Sequence, residues 1–263
     1  SRKNQVKKGA VMSKVTRRSF IRSSMAVGAG LALAGPTSRV LGTNDDIRIA
    51  TVGVGGQGSY HTRIFGDMPG VRYVAVCDAD QNKVRERVKY FAGKGVKVEG
   101  YTDVRKLLER KDIDAITSAT PNHWHALVTV WACQAGKDVY IEKPACHEIW
   151  EGRKMVEVAR KNNRIIQIGK QKRWSEAHPA AFEWIREGHI GKIKWVRGFC
   201  YKGRGPGTNG IVHGTNAPMQ IPDGVDYNLW CGPADRVPLY RNALHYVWHW
   251  MWNRPGPSAL PMQ

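Results

Sequence analysis

Three groups of residues have types and spacing that could do chemistry. Gly53-Val54-Gly55-Gly56-Gln57-Gly58 is a G-x-G-x-x-G turn, set after the apolar run Ile47–Val52 and before a helix-capable stretch, Ser59–Phe65. Gly53 permits a tight turn, Gly55 lets a pyrophosphate approach the backbone, and Gly58 lets helix and strand pack closely. The exposed amides and the helix start then hold phosphates. The run Val71–Cys77 ends in Asp78, twenty residues after Gly58. A carboxylate there can accept from adenosine ribose hydroxyls and would repel a 2′-phosphate, which favours NAD; Lys83 and Arg85 leave NADP possible. Asp78 also reads as an N-cap for the next helix. The third group is Glu142-Lys143-Pro144, after the strand-like Val139–Ile141. Ligands bind at the carboxyl edge of an open parallel sheet, so a lysine there is well placed. Taken alone, Lys143 reads as a solvated residue closing a strand. His123 and His125 form an H-x-H pair, but no Cys/His/Asp cluster follows at ligand spacing, so no metal is expected.

These groups need a parallel sheet to bring them together. Ile113–Thr117 has the β-formers of a short buried strand, and Pro121 and Asn122 break it. Ala126, Leu127, Val130 and Trp131 recur at helical spacing, Gly136 stops that helix, and the strand Val139–Ile141 follows. Strand, helix, strand with short joints is a right-handed parallel crossover. Helices are also expected over Lys83–Phe91, Thr102–Arg110 and Trp150–Asn162, and strands over Val96–Tyr101 and Arg164–Ile168. The fold class is therefore α/β, a Rossmann-type doubly wound parallel sheet over 47–170. A second domain, 171–263, follows. Pro179–Glu187 reads as its helix and Ile193–Tyr201 as an alternating strand covered on one face. Gly203–Pro222 reads as a long loop. The aromatic run His245–Trp252 reads as core, so His245 and His249 are not nominated as catalytic.

Composition narrows the class. The chain has 263 residues and a formal charge of +19, but eight of its 41 Lys/Arg lie in residues 1–34, which hold no acid. The other charges are scattered through expected helices without base-stacking aromatics, so no nucleic-acid partner is expected. The five cysteines (77, 133, 146, 200, 231) lack disulfide or metal spacing, and Cys77 and Cys133 read as buried free thiols. Thr16–Ser24 reads TRRSFIRSS, ahead of the weakly apolar Met25–Ala34. That run is too short for a stable membrane anchor. Residues 1–34 therefore resemble a twin-arginine signal region, with 1–11 upstream of a start at Met12 and 35–46 a polar linker. The expected location is the periplasm.

The spelling "TPNHWH" followed by "AGKDVYIEKP" resembles the signature of the Gfo/Idh/MocA oxidoreductases, and the resemblance runs roughly from Ile47 to Trp252. It implies that Thr120, Pro121, Asn122 and His125 contact the cofactor with Gly53, Gly55, Gly56, Gln57, Gly58 and Asp78. It implies that Lys143 lies near the nicotinamide and the substrate hydroxyl, with Glu142 orienting cofactor or lysine. Physical chemistry agrees: a lysine near a cationic ring has its own charge disfavoured, which makes it a usable acid or base in alcohol oxidation. Gln171 and Arg173 are the positions that face substrate by resemblance, or plain solvated loop residues. The implied activity is NAD(P)-dependent hydride transfer with a sugar, polyol or derivative. The alternatives are an NAD-dependent glycosidase acting by transient oxidation and elimination, or a non-catalytic dinucleotide-binding fragment. The resemblance also implies an open, mainly antiparallel sheet in the second domain and a homo-oligomer for a full-length version. The chain reads NRPGPSALPMQ where relatives carry a further aspartate and histidine, so this α+β domain reads as truncated.

Overall fold

The structure, a computed structural model, describes residues 46–170, 175–199, 217–239 and 244–245. The expected leader, residues 35–45 of the linker, Gln171, Arg173, His249 and the proline-rich end lie outside the described residues.

Six strands pair in parallel: β1 (Ile47–Val52), β2 (Val71–Cys77), β3 (Glu99–Tyr101), β4 (Ala115–Ser118), β5 (Asp138–Glu142) and β6 (Ile166–Gly169). Their spatial order is β3-β2-β1-β4-β5-β6. The chain winds outward in one direction from β1 and then in the other from β4, so a crevice opens where the β1 and β4 carboxyl ends diverge. The helices between strands are α1 (Gly56–Gly66), α2 (Gln81–Gly93), α3 (Val104–Leu108), α4 (Asn122–Gln134) and α5 (Ile149–Lys161). The second half adds α6 (Ala177–Arg186) and α7 (Tyr227–Cys231).

Strand alternation assigns the two layers. On β1, Ala50 and Val52 pack with Ile116 of β4 and Ile141 of β5, covered by α3, α4 and α5 through Leu107, Val128 and Met155. Ile49 points the other way, into a cluster with Tyr73 and Val76 of β2 and Val84 and Phe91 of α2. Three central strands are also tied inside the sheet: the Thr51 hydroxyl lies 3.0 Å from the Tyr73 hydroxyl and 2.8 Å from that of Thr117. Cys77 and Cys133 are buried free thiols.

Two expectations are corrected, and one further element appears. β3 begins at Glu99 rather than Val96, because only Glu99–Tyr101 find partners on β2. Val98 still packs into the core, but without ladder bonds. The strand expected from Ile193 to Tyr201 does not form over 193–199: those residues pair with no strand, and Trp195 and Val196 are exposed. Alternation gives a strand only where a neighbour supplies a ladder. Conversely, α7 arises in a stretch given no element. The Asp226 side chain caps it by accepting from the Leu229 amide at 2.9 Å, and Gly232 ends it at φ +55°.

The segment around α7 packs on the carboxyl edge of the sheet. The Gln81 amide donates to Gly224 O at 2.9 Å, and the Asp226 amide to Ala79 O at 2.9 Å. Tyr227, Trp230, Leu239 and Leu244 form a small core there. Gly232 lies against Trp124, where a Cβ would come within 2.2 Å of the indole. No helix among the described residues is long and apolar enough to cross a membrane.

Candidate active site

One cavity of about 740 Å³ opens at the β1/β4 crevice. Gly53, Gly55, Gly56 and Gln57 line it, as do Asp78, Thr120, Pro121, Asn122, His125, Glu142 and Lys143. Of the expected site residues within the described chain, only Gly58 is not on the wall. It stands behind the turn, where a Cβ would come within 1.7 Å of Gly53 O.

The shape of the turn follows from its glycines. Gly53 sits at φ +77°, a conformation costly for any residue with a side chain. A Cβ on it would lie 2.7 Å from the Thr120 amide nitrogen, so the β1 and β4 loops touch here. Gly55 and Gly56 face open space, with nothing within 4 Å of the place a Cβ would take. Gly55 caps α1 with no side-chain hydrogen bond, leaving first-turn amides of the helix directed at the opening. Bare backbone and a helix start with open room in front form a cradle of the kind a pyrophosphate needs. The turn therefore fits the dinucleotide that the sequence implies.

At the β2 end, Asp78 accepts from the Val54 amide at 2.8 Å and the Asp80 amide at 3.0 Å. Burial pushes its carboxyl pKa up, and those two amide bonds oppose the rise. The capping role weighed for Asp78 falls instead to Asp80, whose carboxylate accepts from the Asn82 amide at 2.8 Å. The other Asp80 oxygen meets His245 Nε2 at 2.9 Å. His245 thus reaches the cavity wall, as do Thr102, Asp103, Leu229 and Trp230, none of which the sequence singled out for a site. Tertiary packing brings them there, and no spacing in the sequence announces it.

At the other end, β5 delivers Glu142 buried and Lys143 exposed to the cavity. Glu142 Oε1 accepts from Gln57 Nε2 at 3.0 Å and lies 2.9 Å from His61 Nε2, while Oε2 accepts from the Lys143 amide at 3.2 Å. Burial pushes the Glu142 pKa up; hydrogen bonds from His61, Gln57 and the Lys143 amide outweigh it and hold it below the usual glutamate range. His61 is the principal residue that the sequence reading missed. Its only signal was a polar ring three residues past Gly58, on the helix face that closes on the sheet.

His125 lines the cavity, yet its ring serves the backbone. Nδ1 faces Pro144 O at 2.5 Å and Nε2 faces Thr120 O at 2.9 Å, so one imidazole joins the β4 loop to the turn after Lys143. Burial lowers its pKa, against the two carbonyls. His123 turns elsewhere, toward Trp230 O at 3.4 Å.

Residues 47–170 match the model of an oxidoreductase family with an NAD-binding Rossmann fold. A glycosyl hydrolase family 109 protein from Saccharopolyspora erythraea is 29% identical over 217 residues, 70% of this chain and 45% of that protein. Inositol 2-dehydrogenase from Salmonella typhimurium is 30% identical over 157 residues, 59% of this chain and 46% of that protein. The chain thus spans less than half the length of these relatives. Among solved structures, myo-inositol 2-dehydrogenase from Lactobacillus plantarum is 31% identical with a TM-score of 0.51, over 56% of this chain and 43% of the other. Scyllo-inositol dehydrogenase from Lactobacillus casei, solved with NAD(H) and scyllo-inositol, is 25% identical with a TM-score of 0.51, over 56% and 43%. With the strand order, the glycine turn and the placement of Glu142-Lys143-Pro144, these likenesses identify residues 47–170 as an NAD-binding Rossmann domain of the Gfo/Idh/MocA oxidoreductase family.

Proposed function

We propose that this chain binds NAD in the β1/β4 crevice and that the full-length protein moves hydride between the dinucleotide and a hydroxyl-bearing carbon of a sugar or polyol. The observation that carries this reading is the shared cavity: the glycine turn, Asp78 and Lys143 come from distant points of the sequence and line one space. When bound, the nicotinamide ring supplies the hydride acceptor. The protein's residues do the rest. Amides of Gly55, Gly56 and Gln57 hold phosphates, and Asp78 takes ribose hydroxyls and disfavours a 2′-phosphate. Lys143 exchanges a proton with the substrate hydroxyl. Thr120, Pro121 and Asn122 form the wall opposite the glycine turn. The substrate class draws support from the inositol dehydrogenases among the relatives.

Titration with NADH, followed by its fluorescence, tests the binding. Micromolar affinity is expected for the chain, and its loss in Gly58→Ala, since the added Cβ collides with Gly53 O. An unchanged affinity in that variant overturns the assignment of the turn. In the full-length protein, Lys143→Ala is expected to abolish turnover while changing cofactor affinity less than threefold.

A second reading is favoured by the family 109 hydrolases among the relatives. On that reading, a sugar is oxidised transiently, loses its aglycone and is reduced again. Net NADH separates the two, because a dehydrogenase accumulates it in step with product and the glycosidase does not. Export by the twin-arginine route is supported by Arg17 and Arg18 ahead of the apolar run. Periplasmic delivery that survives Arg17→Lys with Arg18→Lys would remove that assignment.

A further inference from the structure

The pair beneath Lys143 is built in an unusual way. His61 and Glu142 are both almost fully buried, and their Nε2–Oε1 distance is 2.9 Å. Edges of Phe65 and Tyr140 stand against the His61 ring at centroid distances of 5.7 and 5.4 Å. His61 Nδ1 is buried without a hydrogen-bond partner. One proton on Nε2 satisfies the carboxylate. A second on Nδ1 would be a buried donor with no acceptor, which is costly. The favoured state of the pair is therefore a neutral imidazole donating to an ionised Glu142, with Gln57 donating to the same oxygen at 3.0 Å. Glu142 then stands as a buried carboxylate anion on the cavity wall beside Lys143.

We propose that His61 is a positioning residue that keeps Glu142 an anion at the nicotinamide end of the cavity, and that this charge biases the site toward the oxidised dinucleotide. The inference rests on the reading above, which places phosphates at Gly55–Gln57 and adenosine ribose at Asp78, and hence the ring at Glu142. The oxidised ring is cationic and the reduced ring is neutral, so a fixed carboxylate discriminates between them by Coulomb attraction. Gln57 has two tasks in this arrangement. It belongs to the phosphate turn by its backbone and to Glu142 by its side chain, which couples the two ends of the site.

The test compares dissociation constants for NAD⁺ and NADH at pH 7, with NADH read by fluorescence and NAD⁺ by its displacement. His61→Phe keeps the aromatic packing and removes the donor; His61→Gln keeps a donor near the position of Nε2. The ratio Kd(NAD⁺)/Kd(NADH) is expected to rise about tenfold in His61→Phe, and less than threefold in His61→Gln. Glu142→Gln removes the charge with little change in shape and should match His61→Phe; it keeps the test decisive should His61→Phe fail to fold. A ratio that stays at the wild-type value in Glu142→Gln, or both ligands weakened alike in His61→Phe, overturns the proposal and leaves the binding site standing. A wild-type chain that binds neither nucleotide overturns the site and the proposal together.

Discussion

Asp78 shows how one side chain can carry a preference. Both its oxygens are already engaged by amides, from Val54 and Asp80, and those bonds aim the carboxylate along the end of β2. Each oxygen keeps a further lone pair for a ribose hydroxyl. A 2′-phosphate would bring a second anion against a group whose ionised form burial already disfavours. Asp78→Ser is therefore expected to improve NADP affinity relative to NAD by about tenfold or more, about 1.4 kcal/mol. Competitive titration with the two nucleotides measures it, and an unchanged preference would show that Asp78 does not set the choice. This carboxylate was legible in the sequence because it ends a strand at a fixed interval from the glycine turn. Asp80 and His61 were not. A helix cap and its alternative two residues away are the same residue type, and a histidine on an amphipathic helix gives no sign of a carboxylate arriving from a strand 81 positions later.

The strands were legible as elements where burial on both faces makes them continuous apolar runs, as in Ile47–Val52 and Val71–Cys77, whose bounds match expectation. The Ile193–Tyr201 expectation failed because alternation reports a preference for a half-covered surface, and the covering partner is not in the sequence window. What holds adjacent strands in register is also partly nonlocal. Arg48 at the start of β1 binds Asp114, just before β4, through its amide at 2.8 Å and its guanidinium at 2.9 and 2.6 Å. The Arg48 side-chain hydrogen bond is the chief reason that the Asp114 pKa lies below the ordinary 3.8. A carboxyl whose folded pKa is depressed contributes stability above its unfolded value and loses it as pH falls through the folded value. Asp114→Asn should therefore cost stability at pH 7, by under about 1 kcal/mol because the pair is partly open to solvent. The deficit should shrink as the pH drops below 3.8. Urea midpoints of both proteins at pH 7 and at pH 3 check this, and a deficit that grows toward acid would refute it.

At the scale of the molecule, burial is uneven, and the unevenness has a consequence. The sheet with α1 to α5 packs into two cores and the α7 segment into a small third one, whereas α6 buries none of its residues. Phe182 and Trp184 on α6 are more than half exposed, and so are Ile193, Trp195, Val196 and Phe199 beyond it. Arg197 lies over the Trp195 and Phe199 rings at 5.2 and 5.6 Å, which covers little of them. Each exposed aromatic or branched side chain forgoes about 1.5–3 kcal/mol of burial, and a patch of several drives association. The isolated chain is expected to scatter light as a species heavier than its 29.5 kDa mass, increasingly so with concentration. Replacing Trp195, Val196 and Phe199 together by Ser should restore monomeric mass in size-exclusion chromatography with light scattering, with NADH affinity unchanged because none of the three lines the cavity. A variant that associates as strongly as the parent would locate the adhesive surface elsewhere, and a variant that lost NADH would mean that this segment supports the nucleotide site from outside its wall.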